Sequence, residues 1–380
     1  MTGNPGRPPG GGPSPLLATS LTSPADGLTG WVVVDSLVDG AAMGGTRMTG
    51  TVTEAEVTRL ARAMTTKLAL AGLPIGGAKA GLRSPGNRPG DRERALRAFG
   101  RSAGPLLRGG VYLGCDLGTR HSDRNLFFTE AGYDARRIAR TPRLPADWAE
   151  LCGRLTDITG SGVAVAALTA ARDRLGDRPC RVTVQGFGTV GRAVARTLER
   201  HGHRVVAVAD AYGTVHDPDG LPVDRLAAAT DHAGTIAREA LPDSVARYGG
   251  LEAWLDIDTD VLVLAATGDA VRGDTADRVR ARVVVEGGNL CCTPEAAARL
   301  AERGITLVPD VVANVGAAAA VGALLTGRAP AGLTTDALVH SLFDLVAGTV
   351  RRNTRDVLEI TGAGGTDPVP ALLAHRRKAA

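Results

Sequence analysis

The sequence predicts an α/β protein of two domains, one of them built around a parallel sheet covered on both faces. Three observations carry that expectation. At 380 residues the chain exceeds what one ordinary core accommodates. Beyond residue 180, short β-branched runs alternate with helical stretches, the pattern of parallel strands joined by covering helices. Within that alternation Gly186, Gly188 and Gly191 stand at GxGxxG spacing between a strand and a helix, and Asp210 closes the next strand nineteen residues later. Such a turn suits a pyrophosphate. The first glycine makes the tight turn, the second admits the ligand to backbone N–H groups at the helix N-terminus, and the third lets helix pack on sheet. Phe187, Thr189 and Val190 belong to the same turn, and Asp210 would hold the adenosine ribose hydroxyls.

Taken in order, residues 1–25 are dense in glycine, proline and serine, lack periodicity, and are expected to be disordered. Trp31–Val34 reads as a strand, and Asp39-Gly40 begins a loop continuing through Met43, Gly44 and Gly45 to Met48. Its paired glycines permit close backbone approach to a ligand. Thr53 and Glu56 have capping-box spacing, and Val57, Leu60, Met64 and Leu68 recur at helical intervals until Gly72.

The stretch from Met64 to Leu82 holds two of the chain's three lysines, against forty-one arginines. A lysine buried beside another cation can lose its proton near neutral pH, whereas arginine cannot. Two readings stand: ordinary surface lysines, or amines kept for chemistry. Lys67 falls on or beside the apolar stripe of its helix, which favours the second. Lys79 falls in a glycine-rich loop, Ile75 to Gly81, with little bulk around it. Asp91 can cap a helix to about Arg101, and Gly110 to Asp116 reads as a short strand ending on a carboxylate. Asp116 is either a turn former or a functional acid.

At Thr159 the composition changes, and an alanine-rich helix runs to about Leu175. Strand Arg181–Gln185, the glycine turn, helix Arg192–His201 and strand Arg204–Ala209 follow, then strands at Val261–Leu264, Arg282–Val285 and Ile305–Leu307. Ala266, Thr267, Asn289 and Asn314 lie at or just beyond strand ends, the edge where such sheets bind ligands. Ala317–Leu325 reads as a helix, Thr335–Leu358 as a longer one, and the end as loop. The expected division is a disordered segment 1–25, a substrate-binding domain 26–157, a dinucleotide-binding domain 158–332 and a helical segment 333–380 with a loose tail.

Composition narrows the function classes. The net charge is +4, but the arginines are scattered and aromatics for stacking are 3%, which argues against nucleic acid. The basic cluster His375 to Lys378 reads as a solvated end. Five cysteines, at 115, 152, 180, 291 and 292, form neither a disulfide framework nor metal-ligand spacing, which fits a reducing compartment. The longest apolar run, Val311 to Leu325, is short of the roughly twenty residues that span a bilayer, and no leader is apparent. The expectation is a cytoplasmic protein with neither membrane nor metal.

The motifs together resemble the glutamate/leucine/phenylalanine/valine dehydrogenase family, from about Gly30 to His375. They are Gly44-Gly45-Thr-Arg-Met, Met64-Thr-Thr-Lys67, Gly76-Gly77-Ala-Lys79, Asp116-Leu-Gly-Thr, Val184 to Gly191, Glu286-Gly-Gly-Asn289 and Pro309-Asp310 with Asn314. The resemblance implies a substrate and oligomerisation domain, a Rossmann-type domain, a catalytic cleft between them and a homo-oligomer. It implies reversible oxidative deamination of an L-amino acid to a 2-oxo acid and ammonia. Lys67 would bind the α-carboxylate, Lys79 would be the base, its pKa lowered by Lys67 and cleft closure, and Asp116 would shuttle protons. Thr159 joins the cofactor set.

In glutamate-specific members a lysine stands where this chain has Met43, so an apolar substrate of the leucine, valine or phenylalanine kind is expected. Gly44, Gly45, Gly114, Ala318 and Val321 would complete the substrate site, and the small residues suggest a roomy pocket. Ala317 stands where the family has a second glycine, and Ala318 where it has a larger aliphatic residue. Asp210 favours NAD, with NADP also used in the family. Glutamate dehydrogenase and a noncatalytic dinucleotide-binding paralogue are the alternatives. A hydroxy-acid dehydrogenase would want a histidine base, and none of the seven histidines lies in such a motif.

Overall fold

The computed structural model describes residues 14–86, 88–135, 140, 144–242, 244–362 and 367–379. The chain forms two compact units: Met1–Thr65 with Ile75–Asp134, and Thr66–Pro74 with Ala135–Ala380.

The first unit is a five-stranded mixed sheet in the order β1-β2-β4-β3-β5. The strands are β1 (Leu17–Ser23), β2 (Leu28–Val34), β3 (Ala42–Thr49), β4 (Gly76–Arg83) and β5 (Val111–Cys115). Its helices are α1 (Glu54–Leu70), whose last turn belongs to the second unit, α2 (Asp91–Arg108) and α3 (His121–Glu130). Three expectations change here. The disordered segment does not reach residue 25, because β1 pairs antiparallel with β2 from Leu17↔Val34 to Ser23↔Leu28; residues 1–13 lie outside the described ones. The Gly40 to Met48 loop is mostly the strand β3, and the Ile75 to Gly81 loop is mostly the strand β4.

For β4 the cause is close packing. A Cβ on Gly77 would come 2.2 Å from the Thr65 backbone nitrogen, and one on Gly81 would come 2.4 Å from a Val57 methyl. Those glycines let α1 lie directly on the sheet. They mark close packing within a strand, the other use of a strand glycine besides a bend. α1 itself begins as expected, with the Thr53 hydroxyl accepting the Glu56 N–H at 3.3 Å. The reciprocal half of the capping box is replaced: the Glu56 carboxylate accepts from Arg47 instead.

The second unit is a seven-stranded sheet in the order β12-β11-β10-β6-β7-β8-β9. The strands are β6 (Arg181–Gln185), β7 (Arg204–Asp210), β8 (Gly213–His216), β9 (Ala246–Tyr248), β10 (Val261–Leu264), β11 (Val283–Glu286) and β12 (Thr306–Val308). From β12 to β7 all neighbours are parallel, while β8 and β9 add an antiparallel edge that the sequence did not suggest. Strand order reverses on either side of β6, which makes its carboxyl end the switch point where open α/β sheets bind ligands.

The helices of this unit are α4 (Trp148–Arg154), α5 (Ile158–Leu175), α6 (Thr189–Arg200), α7 (Val223–Ala228), α8 (Pro294–Glu302), α9 (Asp310–Ala313), α10 (Gly316–Thr326), α11 (Thr335–Gly362) and α12 (Pro368–Ala379). Valines fill the strands: Val184, Val206, Val263 and Val285 are all fully buried. Glycine again sets the helix spacing, since a Cβ on Gly160 of α5 would meet Ala193 of α6 at 2.5 Å. The long α11 also binds the end of α1, its Asn353 amide donating to Leu70 O at 3.0 Å. The loose tail is corrected as well. α12 is anchored by Leu372, fully buried, and by Arg376, which bonds Asn353 at 2.5 Å and Asp356 at 2.7 Å.

Candidate active site

In the first unit, strand pairing decides which side chains meet. Met43 is the register partner of both Gly77 and Tyr112, Arg47 of Gly81, and Gly45 of Gly114. Alternation along each strand therefore gathers Met43, Gly45, Arg47, Lys79, Tyr112 and Gly114 on one face. Asp116, just past the end of β5, joins them. Its Oδ2 lies 2.9 Å from the Lys79 ammonium and 3.1 Å from the Arg47 Nε, and Arg47 is tied in turn to Glu56 at 2.5 Å. Gly45 makes this possible, because a Cβ there would press on Asp116 at 3.0 Å.

Lys79 is 4% exposed, so the surface-lysine reading fails for it. Asp116 forms a turn with its backbone and an ion pair with its side chain. The Thr119 hydroxyl accepts the Asp116 N–H at 2.9 Å and reaches Thr46 O at 2.7 Å, shaping the turn and leaving the Asp116 carboxylate to the two cations. Burial opposes ionisation of that carboxyl, but Lys79 and Arg47 outweigh it and hold it far below the usual carboxylate range. The motifs assign no role to Arg47, which the fold brings to Asp116. Its signal was the two-residue spacing from Gly45 and Met43, legible once β3 is a strand.

The roomy pocket expected around Gly114 is also changed. Tyr112 lies over that glycine, its Cε1 3.1 Å from where a Cβ would stand, so the tyrosine ring takes the space. Met43, beside it in register, is 3% exposed.

In the second unit, Lys67 is 2% exposed and is surrounded by oxygens. Its ammonium donates to Asn289 Oδ1 at 2.6 Å and Asn314 Oδ1 at 3.3 Å, and stands 3.1 Å from Asp310 Oδ2. Asn314 also donates to Gly287 O. Thus two asparagines expected on the cofactor side give their amide oxygens to the lysine. Behind them, Glu286 accepts N–H groups from Cys292 at 2.6 Å and Asp310 at 3.0 Å. Burial and the neighbouring Asp310 carboxylate push the Glu286 carboxyl above its ordinary value. Ala318 and Val321 are half-buried on α10, and the Thr159 hydroxyl accepts the Ala317 N–H at 3.1 Å.

The glycine turn fits a dinucleotide. Gly186 has φ +95°, and a Cβ there would strike Ala265 and Ala266; one on Gly191 would fall 1.9 Å from Gly186 O. Gly188 differs: its φ is −73° and a Cβ would meet no protein atom within 4 Å. Neither backbone strain nor protein packing requires glycine at 188, the N-cap of α6, and the open space there would admit a ligand to that helix N-terminus. The Phe187 side chain is 1% exposed and belongs to the core, so this residue can offer a ligand its backbone alone. Thr189, Ala266 and Thr267 are exposed at the carboxyl edge, and Val190 is half-buried.

Asp210 departs from expectation. Its Oδ1 accepts from Tyr212 N at 2.8 Å and Arg238 Nη2 at 2.5 Å, and its Oδ2 from Ile236 N at 2.8 Å and Arg238 Nη1 at 3.0 Å. Both oxygens are occupied within the protein. Among the described residues no cluster of His, Cys, Asp or Glu is arranged to hold a metal ion, and no helix is long and apolar enough to cross a membrane.

Comparison with known proteins bears on the fold and the family. The model of the Glu/Leu/Phe/Val dehydrogenase dimerisation domain matches residues 18–131, and that of glutamate/leucine/phenylalanine/valine dehydrogenase matches residues 154–327. A glutamate dehydrogenase of Thermotoga maritima is 34% identical over 300 residues, covering 76% of this chain and 70% of the relative. An NADP(+)-dependent glutamate dehydrogenase of Pyrobaculum calidifontis is 36% identical over 293 residues, covering 73% and 67%. Among solved structures, the hetero-hexameric glutamate dehydrogenase of Thermus thermophilus in its leucine-bound form superposes with a TM-score of 0.77 at 29% identity, covering 96% of this chain and 89% of that one. With the two-domain α/β fold, the glycine turn and the Lys79–Asp116 pair, these matches place the chain in the glutamate/leucine/phenylalanine/valine dehydrogenase family, as an NAD(P)-dependent amino acid dehydrogenase.

Proposed function

We propose that the chain catalyses reversible oxidative deamination of an L-amino acid with an apolar side chain, of the leucine, valine or phenylalanine kind. The observation that carries the chemistry is the direct contact of Lys79 with Asp116 at 2.9 Å in a setting shielded from water. Lys67 takes the substrate α-carboxylate, exchanging one amide partner for it. The nicotinamide, when bound, supplies the hydride acceptor for the Cα hydrogen. Lys79 then takes a proton from water as its oxygen adds to the imine carbon. Asp116, protonated by transfer from Lys79 before the water adds, passes that proton to the amine nitrogen and takes the hydroxyl proton in return as the carbonyl forms, the C–N bond breaks, ammonia leaves, and the 2-oxo acid remains. Gly186, Gly188 and Gly191 would hold the pyrophosphate.

The side-chain preference rests on Met43, buried beside Tyr112 on the face that carries Lys79. A substrate carboxylate directed at those two groups would lose its hydration without a cation to replace it. Glutamate is the second reading, favoured by the names of the relatives from Thermotoga and Pyrobaculum. The match of residues 18–131 to a dimerisation-domain model supports a homo-oligomer, and an odd number of cysteines without the spacing of a disulfide framework suits a cytoplasmic setting. The further division proposed is substrate binding by residues 26–157 and dinucleotide binding by 158–332.

The test is a rate panel with reduced coenzyme, ammonium and 2-oxoisovalerate, 2-oxoisocaproate, phenylpyruvate or 2-oxoglutarate. Turnover of one of the first three by preference is the expected result. Preference for 2-oxoglutarate establishes the second reading, and coenzyme binding without any turnover establishes a noncatalytic paralogue.

A further inference from the structure

An acid at the end of the second strand of a dinucleotide-binding unit ordinarily selects NAD, because a free carboxylate accepts from the ribose hydroxyls and repels a 2′-phosphate. In this chain that carboxylate is not free. Its side chain is 2% exposed, and four N–H donors converge on its two oxygens, two of them from the fork of Arg238. The guanidinium that neutralises it remains 23% exposed.

The segment bearing Arg238 is built against the glycine turn. Asp231 accepts N–H groups from Ala233 and Thr235, both at 2.8 Å, and its carbonyl accepts from Arg192 Nη1 of α6 at 3.0 Å. Gly234, with φ +89°, comes so near that a Cβ on it would stand 2.9 Å from Gly188 N. Ile236 then donates to Asp210, two residues before Arg238. The segment therefore links the pyrophosphate turn to the end of β7, where the adenosine ribose of a dinucleotide lies.

We propose that the adenosine end of the coenzyme is read by the Asp210–Arg238 pair as a unit, and that Arg238 makes this chain accept a 2′-phosphate. The inference rests on the dinucleotide-site reading above and deepens it from NAD(P) to a preference for the phosphorylated coenzyme. Arg238 Nη1 donates to Asp210 and to Ile236 O and Nη2 to Asp210, so what the 23% exposed guanidinium can offer phosphate oxygens is its Nε–H and the second Nη2 hydrogen. Losing Arg238 removes that cation and uncovers the Asp210 charge together, so both effects act against a 2′-phosphate.

The experiment is isothermal titration of the full chain with adenosine 2′,5′-bisphosphate and with 5′-AMP, for the unaltered protein, Arg238→Leu and Arg238→Lys. Being a binding measurement, it stands apart from whether any amino acid is turned over. The expected result is at least about tenfold tighter binding of the bisphosphate, lost in Arg238→Leu while 5′-AMP binding changes by less than about threefold. Arg238→Lys, which keeps the charge without the fork, should fall between them and serves if the leucine variant fails to fold. Tighter binding of 5′-AMP by the unaltered protein, equal loss of both ligands in the variants, or binding of neither ligand overturns the proposal.

Discussion

Lys79 and Asp116 meet at 2.9 Å beside Gly45, with Arg47 holding the same carboxylate oxygen at 3.1 Å. An amine and a carboxylate in direct contact can exchange a proton without an intervening water, which suits a reaction that deprotonates water and protonates an amine. Replacing Lys79 with alanine, or Asp116 with asparagine, should lower kcat by about 10²–10⁴ while coenzyme affinity stays within about threefold. Steady-state rates paired with coenzyme titration check this, and retained turnover in Lys79→Ala rejects its role as base.

Arg47 should set the acid limit of the reaction. Burial alone would raise the Asp116 carboxyl, yet Lys79 and Arg47 hold it well below its ordinary value. A carboxyl depressed in the folded state adds stability above its unfolded value, near pH 3.9, and loses it as pH falls through the folded value. Removing one cation moves that folded value up. In Arg47→Leu the acid limbs of kcat/KM and of thermal stability should both shift to higher pH, by about one unit, with Arg47→Lys recovering part of the shift. Limbs that stay in place would leave Arg47 a structural residue only.

Met43 should govern the choice of side chain. A lysine there would offer a cation to a substrate carboxylate that methionine leaves unpaired. Met43→Lys should raise kcat/KM for 2-oxoglutarate relative to 2-oxoisocaproate by about tenfold or more. An unchanged ratio in the competing-substrate assay removes Met43 from the specificity determinants.

Two glycines should separate packing from ligand approach. Gly77→Ala would set a Cβ 2.2 Å from the Thr65 backbone nitrogen, where nothing can swing aside, so the cost should be about 1–3 kcal/mol or more in urea unfolding. Gly188→Ala meets no protein atom and needs no unusual φ. Its unfolding midpoint should be unchanged, while dinucleotide binding weakens about tenfold or more. A coenzyme titration that leaves Gly188→Ala at wild-type affinity would place the pyrophosphate elsewhere.

The sequence by itself determined the parallel part of the second unit's sheet and the glycine turn and singled out two scarce lysines, because each is written locally: β-branched runs, glycine spacing, two of three lysines in one short stretch. It also pointed to Met43, through its place in a motif. The tertiary structure decided what local pattern could not express. The glycine-rich stretch around Lys79 is a strand with α1 packed against it, and the one around Met43 a strand paired between β4 and β5, neighbours that glycine composition alone does not reveal. Asp116 finds Lys79 and Arg47, and Lys67 finds Asn289, Asn314 and Asp310, through pairings of 37 to 247 residues in sequence. Asp210 bore its expected position but not its expected freedom. Arg238, 28 residues away in an irregular segment, neutralises it. Backbone pattern fixes where a charged group stands, whereas its partners, and so its chemistry, are set by residues that only folding brings within a few ångströms.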